Sequence, residues 1–415
     1  MKQNHRKQLS ILFLSFALLG GCTANKISTE EIKEETSAVT KENTAKEEVT
    51  QSVTGETYTA TEADESAIDV SGNETVSLSN VTVEKVSGDA TSANDASFKG
   101  VNSAIRVYDN ATLTITDSTV TSDAENATGV FAYDNGTINI SDSVITVTGG
   151  GAGGVQVAGG GTLYGNDLTV TSSSKAAIRS DRGGGTMVID GGTYTSLGKN
   201  GCPAIYSTAD ITVSNATLTS ENSRAVIIEG KNSVTLENCI LSGNDQSTRE
   251  GSVKANVLLY QSASGDAENG TSSFTMSGGS MTTLSGAMFL CTNTASVITL
   301  ENTELNLTED NLLLIVSEGR WGKDGSNGGK CTMNVSDQTL EGDITVDAIS
   351  SLDLTLKNCD YTGAILSEGE TTLTLGENSS WTLSADSYLT EFNGDLSQIN
   401  LSGYTLYLNG TAVSA

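Results

Sequence analysis

The sequence predicts an all-β solenoid: a rod of about twelve stacked coils, each built from three short strands. Three observations carry that prediction. A template of apolar-x-apolar-x-(Asn/Asp/Gly)-x-x-apolar recurs through the chain. The composition, with 44 Gly, 5% aromatic and 18% charged residues, suits short strands and turns rather than helices. There is a single proline in 415 residues, as expected where nearly every strand lies inside a ladder and needs its N–H.

The template's fifth position falls on Asn80, Asp117, Asp142, Asp167, Gly191, Asn215, Asn238, Gly278, Asn302, Asp337, Asn358 and Glu377. Spacings are mostly 19–25 residues, with three longer ones of 37, 40 and 35. The two leading positions, such as Leu113/Ile115 and Val234/Leu236, are apolar in 23 of 24 cases, Gly165 being the exception. The trailing position fails only at Ser380. Alternation at period two means strands, and the fifth position predicts a tight left-handed turn between two of them, which Asn, Asp and Gly tolerate best. A third strand follows most repeats, opened by a small residue: Ala104-Ile105, Gly129-Val130, Gly154-Val155, Ala177-Ile178, Ala204-Ile205, Ala225-Val226. At roughly 4.8 Å per coil the rod would be about 58 Å long.

These coils resemble the right-handed parallel β-helix of the pectate-lyase-like and pertactin-like proteins, over roughly residues 70–400. The Asn/Asp column is similar to the asparagine ladder of such folds. Trp381-Thr382-Leu383-Ser384-Ala385-Asp386-Ser387 resembles the terminal Trp…Gly-Asp-Ser motif of pertactin-like passengers, with Ala385 in place of the glycine. The predicted β-helix domain spans residues 57–415, with a C-terminal cap over about 381–415.

Ahead of it, Lys2, Arg6 and Lys7 precede the apolar run Leu9–Leu19, and Leu19-Gly20-Gly21-Cys22 ends it. This resembles a bacterial lipoprotein signal, which implies cleavage after residue 21 and lipid attachment at Cys22. Residues 22–56 are rich in Glu, Lys and Thr with few large apolar side chains, so a disordered tether is expected. No barrel-like segment follows before Ala415, so the expectation is lipid-anchored display on the cell surface, as a monomer. Of the remaining cysteines, Cys202, Cys239, Cys291, Cys331 and Cys359, none forms a CxxC, and buried small hydrophobes are expected.

Charge and histidine content exclude whole function classes. The formal charge is -29, and without residues 1–21 it becomes 19 − 51 = -32. Such a surface repels nucleic acid and anionic lipid and favours cations. The only histidine is His5, inside the leader, which excludes Ser-His-Asp and Cys-His nucleophile systems, His-ligated zinc and HExxH proteases. The His-containing motif of polygalacturonase-like β-helices is excluded with them.

Three places remain for function. Asp117, Asp142 and Asp167 stack on successive coils, either as a structural ladder or as a Ca²⁺ site. The outer face of the third strands presents two rows: Arg106, Phe131, Gln156, Arg179, Tyr206, Ile227, and Tyr108, Tyr133, Ala158, Asp181, Thr208, Glu229, then Tyr260. Among 2 Trp, 11 Tyr and 7 Phe, this is a concentration of aromatic rings beside Arg and carboxylates, a combination suited to sugar rings. The alternative is a solvated face of ordinary cross-strand pairs. The third place is the set of insertions 84–103, 242–256, 261–273 and 317–330, the last carrying Trp321 as an anchor or as a side chain packed on the rod. The pectate-lyase-like resemblance implies glycan binding along the third-strand sheet. It also offers an alternative, a Ca²⁺-assisted polysaccharide lyase, for which Arg179 with Asp181 is the nominated pair. The leading expectation is a non-catalytic adhesin or glycan-binding rod on a cell surface; an envelope spacer is the third reading.

Overall fold

The computed structural model describes residues 50–249 and 251–413. The leader, Cys22 and the tether up to residue 49 lie outside them, as do Glu250, Ser414 and Ala415. The described chain is a parallel β-solenoid. Val76, Leu113, Ile138 and Leu163 are partners on successive coils, and so are Val83, Val120, Ile145 and Val170. Third strands form a separate sheet of twelve parallel strands, from Ile68–Val70 to Ile365–Ser367. The residues expected to point inward there, Ile105, Val130, Val155, Ile178, Ile205 and Val226, are all fully buried and in register. Each such side chain contributes about 1.5–3 kcal/mol by leaving water, and the column of them is the core.

The corner residues do what their chemistry predicts. Eleven of the twelve, all but Glu377, have φ between 48° and 72°. Their amides continue the ladder: Asn80 N donates to Thr116 O at 3.0 Å, and Asn238 N to Ser277 O at 2.8 Å. The tight turn therefore leaves no orphaned donor. On several coils the strands on either side merge through the corner into one bent strand, as in Gly161–Ser172 and Ser351–Thr362.

Two corners differ from the template. At the last coil the left-handed residue is Asn378 (φ 56°), not Glu377. One extra residue after Leu373 and Leu375 moves the turn on by one, so the apolar residue three places later is Trp381 and not Ser380. At the other end, Thr50–Thr54 and Thr57–Ala60 pair with the next coil around Gly55 (φ 72°). The ladder thus begins seven residues inside the stretch expected to be tether.

Trp381 is fully buried, stacks on Tyr361 at 6.0 Å, and donates Nε1–H to Gly363 O. Beyond it, Leu406–Leu408 turns back antiparallel on Thr411–Ala412, the one antiparallel pairing among the described residues. That reversal ends the stack where a further parallel strand could otherwise add. Cys239 and Cys359 fill the small corner site after Asn238 and Asn358. Cys291 and Cys331 are also buried, with sulfurs 3.6 Å apart, and Cys202 is half-buried.

The insertions do not hang free. Residues 84–103 contain a helix, α1 (Ala93–Lys99), opened by Ser92 accepting from Asp95 N and closed at Gly100 (φ 68°). A Cβ at Gly100 would sit 2.6 Å from the Phe131 ring, so the exit from α1 presses directly on the third-strand sheet. Residues 242–256 and 317–330 fold over the same sheet further along.

Candidate functional site

The third-strand sheet does carry the two predicted rows on its outer face, but the insertions roof much of it. Phe131 and Gln156 were expected to be exposed, and both are fully buried. The cause is α1. Gln156 Nε2 donates to Ser97 O at 2.8 Å, Lys175 Nζ to Ser97 Oγ at 2.7 Å, and Arg106 Nε to Lys99 O at 2.9 Å. Arg182 stacks its guanidinium over Phe98. Asp181, Glu229 and Tyr260 are buried as well. The strip is therefore not one continuous exposed track.

On the near side of α1, Arg106 lies 3.6 Å from Asp69 and stacks over Tyr108, with Tyr133 half-buried two residues on from Phe131. Burial pushes the Asp69 carboxyl up, opposed by Arg106. This group is separate from the cleft that forms beyond α1.

Beyond α1, Arg179, Tyr206, Ile227 and Leu258 are partners on four successive strands. Arg179 stacks on the Tyr206 ring at 4.5 Å and donates from Nε and Nη2 to Asp181 Oδ2 at 3.0 and 2.8 Å. Burial alone would weaken its proton affinity, but Asp181 and Tyr206 together raise its pKa. Asp181 is held in place by Arg182 N at 2.9 Å.

Glu229, 1% exposed, is the hub of the neighbouring row. Its Oε2 accepts from Tyr206 OH at 2.6 Å and from Tyr260 OH at 2.9 Å, and its Oε1 accepts from the Ser262 and Ser264 hydroxyls. Burial first, then the Tyr260 and Glu229 charges, push the Tyr206 hydroxyl well above its usual pKa; burial and Glu229 push Tyr260 up as well, against its hydrogen bond with Tyr206. They stay neutral donors at any ordinary pH. The insertion 261–273 thus completes a buried network in which the carboxylate's acceptors are occupied by hydroxyls.

Two further loops wall the cleft. Trp321 packs on Tyr260, ring centres 4.4 Å apart, and joins the small apolar cluster of Ile227, Leu258 and Leu290. It is packed on the rod with one side open. Arg320 stacks over Trp321 at 4.7 Å. Opposite, Arg224 reaches into the loop: its Nε lies 3.0 Å from Asp245 Oδ2, off the hydrogen-bond axis, and its Nη2 donates to Val253 O and Ser252 Oγ. Burial lowers the Arg224 pKa, and Asp245 works against that. Arg249 completes the wall. The cleft they wall is open on one side and measures about 220 Å³.

Sequence reasoning found Arg179, Tyr206, Tyr260 and Trp321, placed Arg249 and Arg320 in candidate insertions without singling them out as ligand-binding, and missed Arg224. The available signal was scarcity. Only six arginines follow residue 21.

Asp117, Asp142 and Asp167 sit at left-handed corners with exposed side chains. Among the described residues no group of three or more His, Cys, Asp or Glu side chains is gathered to hold a metal ion. Each of the three backbones turns a corner of the inter-coil ladder while its carboxylate lies exposed.

Fold and site together define a parallel β-solenoid whose third-strand sheet is partly roofed, leaving one Arg- and aromatic-lined cleft. No family model, curated protein or solved structure matches the chain.

Proposed function

We propose that this chain is a cell-surface lipoprotein, anchored through Cys22, whose rod binds carbohydrate without catalysing its cleavage. The rod would be right-handed, as parallel strand crossovers almost always are, and count about twelve coils. The observation that carries the reading is the cleft: Tyr206, Tyr260 and Trp321 line it with aromatic surface, and Arg249 and Arg320 offer donors beside the ion-paired Arg179 and Arg224. Its ligand would belong to a polysaccharide, a host surface or a neighbouring cell. The leader pattern supports the anchor, and the acidic surface argues against nucleic acid as a partner. Arg179 supports binding over lyase chemistry, since the Asp181 ion pair and raised pKa make it a fixed donor and not a proton acceptor.

The test is a polysaccharide panel presented to the full chain, scoring binding and product together, with and without Ca²⁺. Saturable binding with no new chain ends supports the reading. Unsaturated uronide ends that vanish with chelator would install the lyase alternative in its place.

A further inference from the structure

We infer that the cleft recognises a single acidic sugar ring, at a chain end or branch, through its carboxylate or sulfate group. The inference rests on the carbohydrate reading above and specifies its ligand.

Charge is the first argument. The chain has 51 acidic and 22 basic residues, yet four of the six arginines beyond residue 21 line this one cavity. Arg179 and Arg224 are committed to Asp181 and Asp245. Arg249 and Arg320 are exposed, and among the described residues neither has a carboxylate within ion-pair distance. Glu229 lies behind Tyr206 and Tyr260 with its oxygens occupied by hydroxyls. The open side of the cleft is therefore positive on a strongly negative molecule. Two guanidinium forks match the planar or tetrahedral oxygens of a carboxylate or sulfate ester.

Shape is the second argument. At 220 Å³ the cavity is smaller than the roughly 300–1,000 Å³ typical of sites for drug-sized ligands, which suits one ring. A polymer lying along the sheet would have to cross α1, which buries Phe131 and Gln156, and the Trp321 loop. Only an end or a branch reaches in. There the ring would lie against Tyr206, Tyr260 and Trp321 with its anionic group toward Arg249 and Arg320.

The experiment is isothermal titration of the full chain with four probes. Three are oligosaccharides of one backbone, ending in a uronic acid, a sulfated sugar or a neutral sugar; the fourth is inorganic sulfate. An acidic-ended oligosaccharide should bind, weaken as salt rises, and compete with sulfate, while the neutral one binds poorly. Whichever of the two acidic ends binds tighter identifies the group. Arg249→Ala and Arg320→Ala should each weaken binding about tenfold, about 1.4 kcal/mol, with melting unchanged because both side chains are exposed. Arg320→Lys should recover part of the loss, keeping charge without the fork.

Equal binding of neutral and acidic ends, or unchanged binding in both alanine variants, overturns the anion inference and leaves the carbohydrate reading standing. Sulfate binding without preference for any oligosaccharide does the reverse. Silence from all four probes overturns both.

Discussion

Asp245→Asn isolates the charge that ties the 242–256 insertion to the rod. Asp245 is 2% exposed, its Oδ2 lies 3.0 Å from Arg224 Nε, and it accepts from Ser247 N at 2.9 Å and Ala255 N at 3.4 Å. Asparagine keeps the size and one carbonyl acceptor but leaves the Arg224 cation buried and uncompensated. Breaking a buried pair from one side costs about 3–5 kcal/mol, whereas removing both charges is often close to neutral. Solenoid stability is summed between neighbouring coils, so the loss should open the insertion without unfolding the rod. Amide exchange at Ser247 and Ala255 reads it directly: about 3–5 kcal/mol corresponds to about two to four powers of ten in protection. Asp245→Asn/Arg224→Met should regain most of that protection. A loss under about tenfold in the single variant, or a double variant as frayed as the sum of its parts, would refute the reasoning.

Three further outcomes follow from the same geometry. Phe131→Ala should cost about 3–5 kcal/mol in denaturant titration because α1 covers the ring; an effect near zero would mean the strip is open after all. Asn238→Ala keeps the β-carbon at φ 51° but removes the amide that eases a left-handed backbone and should cost about 1–2 kcal/mol, while Asn238→Gly stays near wild type; equal losses would deny the left-handed corner its role. Burial, aided by Arg179, pushes Lys175 down to about 8 from its ordinary 10.5. The unfolded chain then binds the proton more tightly, so stability rises as pH climbs from about 8 towards 10.5. Lys175→Met should flatten that rise relative to wild type, and an unchanged slope in melting temperature against pH would contradict it.

The rod was legible because its determinants are local. Val76/Leu78 or Ile138/Ile140 face inward by period two, and Asn80 or Asp142 turns the chain by its own φ preference. Even the misplaced corner at Glu377 follows from the same local rule once Asn378 is seen as the better left-handed residue. The roof was not legible. Nothing in 84–103 or 317–330 repeats, so no periodicity indicates which coil each insertion lands on. Phe131 does point away from the core, as alternation requires, but whether water or α1 meets it is decided 31 residues earlier at Gly100. Arg224 was hidden for a related reason: its partner Asp245 lies a coil away, across a loop without pattern.

The most direct measurement is hydrogen exchange on the full chain with and without a saturating acidic-ended oligosaccharide. Protection should rise at 200–206, 247–260 and 319–322, around Tyr206, Tyr260 and Trp321, and stay unchanged beneath α1 at Phe131 and Gln156. Protection spread along the whole third-strand sheet, or none at the cleft while ligand is bound, would contradict the account.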